Sequence, residues 1–104
     1  MPVFILIINA KPEQENSKVT DIAGAYVNCF IEAETFDLAE ETALKFLTTE
    51  NWRAIGLEES YEVTKDDYFN DPKGLEVYQQ VLIDKEVYTF HTYKTEDEEG
   101  RGSL

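Results

Sequence analysis

Six consecutive apolar residues, Val3-Phe4-Ile5-Leu6-Ile7-Ile8, stand between Pro2 and a polar stretch that begins at Asn9. The run is too short for a typical helix, far short of the roughly 20 residues that span a bilayer, and rich in side chains that fit a pleated surface. It predicts a strand over 3–8 that is buried on both faces. Without a basic segment before it or a small-residue cleavage site after it, it does not read as a signal peptide. Leu, Ile, Val and Phe together make 28 of the 104 residues, above the ~20% below which highly charged chains stay disordered. One folded α+β domain over residues 1–94 is therefore expected. Residues 95–104, with four consecutive acids and two glycines, are expected to form an acidic, disordered tail.

Apolar spacing supplies the remaining elements. Residues 11–24 read as a long surface loop, a candidate lid or contact arm. Residues 25–33 alternate as a second strand, with Ala25, Val27, Cys29 and Ile31 on one face and Tyr26, Asn28, Phe30 and Glu32 on the other. The Asp37-Leu38-Ala39-Glu40 sequence offers a capping start for a helix over 38–49 that buries Ala39, Ala43, Phe46 and Leu47. A third strand follows over 52–63. Asp71-Pro72 then opens a second helix with the stripe Leu75, Tyr78, Val81 and Leu82, and residues 87–93 form the last strand. The order ββαβαβ makes a two-layer sandwich the economical arrangement, a four-stranded sheet with both helices on one face. Its content resembles a ferredoxin-like module, although two strands precede the first helix here.

Charge narrows the classes of partner. With 22 acids against 9 basic residues the net charge is −13, a field that repels phosphate and makes nucleic acid and anionic membranes poor partners. The excess is uneven: residues 32–71 hold twelve acids against Lys45, Arg53 and Lys65. Small acidic inhibitors of basic toxins or nucleases share this profile, so an immunity-type role is one expectation. Glu34, Asp37, Glu40 and Glu41 form the expected partner-steering surface. Cys29 stands alone, which rules out an internal disulfide and fits a cytoplasmic protein.

Motif chemistry is sparse. The glycines are scattered rather than gathered into a phosphate loop, and no serine elbow is present, so no cofactor is expected. The acidic pairs Glu40-Glu41, Glu58-Glu59 and Asp66-Asp67 do not have calcium-loop spacing, since Tyr68 or Phe69 falls where an oxygen ligand is needed; no metal is expected.

The sheet face turned away from the helices is expected to carry Tyr26, Asn28, Phe30, Glu32, Glu58, Ser60, Thr89, His91 and Tyr93. Such a mixture of rings and polar groups is too apolar for ordinary surface. The leading expectation is a non-enzymatic interaction or regulatory module that forms a homodimer through this face, with Tyr26, Phe30, His91 and Tyr93 as anchors and Asn28 and Glu58 as polar contacts, and that binds a basic protein. The alternative is a small-molecule-binding domain or minor enzyme in which His91 and Glu58 or Glu32 act as an acid–base pair. Cys29 falls on the helix-facing side and is not expected to be a nucleophile.

Overall fold

The computed structural model describes residues 1–13 and 22–94. Seven elements follow in order: β1 (Val3–Pro12), β2 (Ile22–Glu32), α1 (Phe36–Thr49), β3 (Trp52–Val63), a 3-10 turn (Lys65–Tyr68), α2 (Pro72–Asp84) and β4 (Glu86–Lys94). The architecture is α+β, with one open antiparallel sheet in the order β3-β1-β2-β4 and two helices. The apolar run of β1 is a central strand, as its lack of charge requires, and pairing extends it four residues beyond Ile8. The strands thus reach well into the expected 11–24 loop. The remainder of that loop, and the expected tail, lie outside the described residues.

Alternation along β1 and β2 builds the core. Phe4 pairs with Ile31, Leu6 with Cys29, Ile8 with Val27 and Ala10 with Ala25. All eight are buried, and Ala39, Ala43 and Leu47 of α1 close over them. Alanine at 39 and 43 lets the helix approach closely, while Leu47 fills the space between. Phe46 stacks on Tyr88 of β4 with ring centroids 3.6 Å apart, and Trp52 packs near Phe90 at 5.3 Å. The β1 side chains on the other face, Ile5 and Ile7, are only half-buried. Burial on both faces of this strand is therefore partial, complete only at Val3.

Helix α1 starts two residues earlier than its sequence suggests. Thr35, not Asp37, is its N-cap, and the hydroxyl accepts from the Leu38 N–H at 3.2 Å. Asp37 sits in the first turn, where a negative charge still complements the helix dipole. Helix α2 begins as expected, with Asp71 Oδ1 accepting from the Gly74 N–H at 3.0 Å and Pro72 in the first turn. It ends at Lys85, which takes a left-handed conformation with φ of 74°.

The expectation of two helices on one face is corrected. The groove between α2 and β4 is lined by Glu76, Val77, Gln80 and Val87. Val87 pairs with Phe30, so it faces away from the side on which Tyr88 meets α1. Val81, the buried residue of α2, and Val3 of β1 are both absent from the core that α1 covers. Connectivity makes the crossing necessary, and with α1 already over the core face the reverse face is the one left to cover. β3 ends beside Val3 and β4 starts beside Ile31, at the same end of the sheet but on opposite edges. A helix of 13 residues, about 20 Å long, crosses that end and covers the lower part of the reverse face.

Candidate functional site

The reverse face divides into a lower part under α2 and an open upper part. On the lower part, Phe30 and Val87 are half-buried. Glu32 is tied down: its backbone N–H donates to Lys85 O at 2.9 Å and its carboxylate accepts from Lys85 Nζ at 2.8 Å. That hydrogen bond holds the Glu32 carboxyl below its ordinary pKa. Phe30 and Glu32 thus belong to the seam beneath α2 rather than to an open platform.

The open part gathers Asn9, Gly24, Tyr26, Asn28, His91 and Tyr93. Tyr26 pairs with His91 across β2 and β4. The Asn28 side-chain amide lies 3.5 Å from His91 Nε2, and the Tyr26 and Tyr93 rings are 5.4 Å apart. Tyr93 Oη donates to Asn9 Oδ1 at 2.7 Å. Tyr26 is 44% exposed and His91 is exposed, whereas Tyr93 is half-buried. Three of the expected anchors, Tyr26, His91 and Tyr93, and the expected polar contact Asn28 are thus brought together.

The carboxylates of the expected acid–base pairs are not. β3 and β4 are opposite edges of the sheet, so Glu58 is three strand spacings, about 14 Å, from the strand that carries His91. Glu32 lies six residues along β2 from Tyr26, the partner of His91, or about 20 Å.

Two register shifts in the β1–β3 pairing also change which β3 side chains share the reverse face. Ser60 pairs with Leu6 and faces α1, Glu58 falls in the irregularity between Ile7 and Ile8, and Glu59 and Tyr61 take the reverse-face positions opposite Ile7 and Ile5. A bulge adds one residue to one strand and inverts the face of everything beyond it. Alternation alone could not reveal this.

The lone thiol is sealed in the core: Cys29 is fully buried, and burial pushes its pKa up to about 12. Tyr88 is likewise raised, by burial and by its hydrogen bond to Glu86. Among the described residues no group of three or more His, Cys, Asp or Glu side chains is placed to hold a metal ion. No helix among them is long and apolar enough to cross a membrane.

A second surface emerges where α1 meets β3. Ile8, Glu40, Leu44, Ala54, Ile55, Gly56 and Leu57 line an open groove of about 250 Å³. Leu38, Leu44, Ile55 and Leu57 are each at least 40% exposed. Glu40 forms part of the groove itself, and Glu34, Asp37 and Glu41 are exposed along and just before the same helix. None of these four carboxylates has an ion-pair partner among the described residues. The sequence places the acids here but not the apolar groove, which depends on the shifted register of β3. No family model, curated protein or solved structure matches the chain.

Proposed function

We propose that the chain is a non-enzymatic binding module whose acidic α1–β3 side receives a basic protein partner. The observation that carries this reading is the groove that joins exposed Leu44, Ile55 and Leu57 to Glu40, with exposed Leu38 and the carboxylates of Glu34, Asp37 and Glu41, unpaired among the described residues, along and just before the same helix. Apolar residues supply the area that holds a complex together. Surrounding charge of one sign speeds encounter with the opposite sign and rejects like-charged competitors. A net charge of −13 extends that preference over the whole molecule.

The test is co-purification under controlled salt. A tagged chain should retain a basic protein at low ionic strength and release it as salt is raised. The combined variant Glu34→Gln, Asp37→Asn, Glu40→Gln and Glu41→Gln should retain less. Retention indifferent to both salt and charge removal would refute the reading.

Homodimerisation through the upper reverse face is a second reading, favoured by the exposure of Tyr26 beside His91. Light scattering decides it. A wild-type mass twice the 12.0 kDa of one chain, reduced to one chain by Tyr26→Glu, supports it; a wild-type monomer removes it.

A further inference from the structure

We propose that the outer side of β3 is a strand-addition site, which takes an extended segment of alternating basic and apolar residues from a partner protein as a fifth strand of the sheet. The inference rests on the basic-partner reading and names how that partner is held.

β3 is the terminal strand of the sheet, and among the described residues no strand pairs with its outer side. Such an edge presents a row of unpaired N–H and C=O groups, which proteins usually guard with charged side chains, bulges, proline or a covering segment. β3 has neither lysine nor proline along its twelve residues, and it exposes Ile55, Leu57 and Tyr61. Its two irregularities lie between Leu57 and Glu59 and between Ala54 and Gly56, which leaves 59–63 in unbroken register with β1. That regular stretch is the part able to template another strand. Beyond it, the groove beside Leu44, Ile55 and Leu57 is placed to receive an apolar side chain from the same incoming segment.

Charge selects the occupant. Within the templating stretch Glu59 lies on the reverse face and Glu62, opposite Phe4, on the α1 face, while Glu58 stands at the irregularity. An alternating strand added here can turn its basic residues to the reverse face, against Glu59, and its apolar residues to the α1 face, where the groove lies. A second copy of β3 paired antiparallel over residues 58–63 would crowd six glutamates into that stretch, and like charges on neighbouring strands destabilise the pairing. Lysine or arginine on the reverse face of the incoming segment, beside Glu59, reverses the sign. Main-chain bonds then supply affinity, and the groove and glutamates supply selectivity.

The experiment uses the full-length ¹⁵N-labelled chain and three synthetic peptides: one alternating lysine and valine, one alternating glutamate and valine, and the lysine–valine peptide N-methylated at alternate residues. The lysine–valine peptide should protect amides within 59–63 from hydrogen exchange. N-methylation, which deletes main-chain bonds but keeps the charge, should weaken binding by about tenfold or more. The glutamate peptide should not bind. Leu57→Asp should weaken the complex, and Tyr26→Glu on the other side of the sheet should leave it unchanged. Equal binding by the N-methylated peptide, or protection confined to β4, would overturn strand addition while leaving a basic-partner surface standing. Absence of binding by either basic peptide would overturn the site. A wild-type dimer that Leu57→Asp converts to monomer would assign the edge to a second copy and overturn the basic occupant.

Discussion

Tyr93 reaches Asn9 by passing over Gly24. The three residues lie on β4, β1 and β2 respectively, and the tyrosine hydroxyl on one edge strand donates across the intervening strand to Asn9 Oδ1 at 2.7 Å. The glycine is what allows it. A Cβ at position 24 would collide with Tyr93 Oη and Cζ on one side and approach the Ala10 carbonyl oxygen to 2.8 Å on another. The ring is therefore a clasp across three strands, and the exposed residue beside it is Tyr26.

Gly24→Ala should accordingly cost about 1–3 kcal/mol, since an added methyl in a filled site forces its neighbours to shift. Tyr93→Phe should cost about 1 kcal/mol by leaving Asn9 without its donor. In the double variant Gly24→Ala with Tyr93→Ala, part of the alanine penalty should vanish. Full additivity of the losses in urea unfolding would show that the ring does not press on position 24.

Leu47 is the one large side chain of α1 with no exposed surface, wedged among core residues of β1 and β2. Leu47→Ala should lower stability by about 2–5 kcal/mol through lost burial and the cavity left behind. Leu44→Ala, at an exposed position of the same helix, should change it by less than about 0.5 kcal/mol. Denaturant midpoints of the two variants check the contrast.

Acid stability should respond to the Lys85–Glu32 contact. The folded Glu32 carboxyl titrates below its ordinary value of 4.5, held there chiefly by the Lys85 hydrogen bond. The unfolded chain thus takes up a proton at Glu32 before the folded chain does. The stabilisation is present above pH 4.5 and is lost as pH falls through the folded value. Wild type and Glu32→Gln should differ in thermal midpoint near neutral pH and converge in strong acid. A gap that persists unchanged at low pH would show that the contact does not stabilise through this ionisation.

Cys29 should resist thiol reagents in the folded protein. With its side chain buried and its pKa pushed up to about 12, the thiolate is both scarce and inaccessible. Labelling should follow unfolding, accelerating with urea. Rapid modification in native buffer would contradict the burial of β2.

Helix phase was legible where it depends on local spacing. Ala39, Ala43 and Leu47 recur at helical intervals, and Asp71-Pro72 marks a helix start by its own chemistry. Strand two sorted correctly because it pairs without irregularity along 25–31. The failures came from non-local geometry. Nothing within α2 states which side of the sheet it covers; that β3 and β4 occupy opposite edges requires it to cross, and the face is seen only in its packing beside Val87. Likewise Glu58 and Ser60 were placed by simple alternation, which the register shifts of β3 overturn. The cluster of Tyr26, Asn28, His91 and Tyr93 was readable from alternation, whereas the tether to Asn9 needed the pairing of three strands.

The strand order also sets a sequence of events during synthesis. β1 and β2 leave the ribosome first and can close on each other at once, yet they are the middle of the sheet. Until residues 52–63 and 86–94 have been translated, both flanks of this nascent hairpin stay uncovered, even once α1, made directly after β2, has closed over its most apolar rungs. The emerging chain therefore passes through a stage most exposed to aggregation well before its last strand exists.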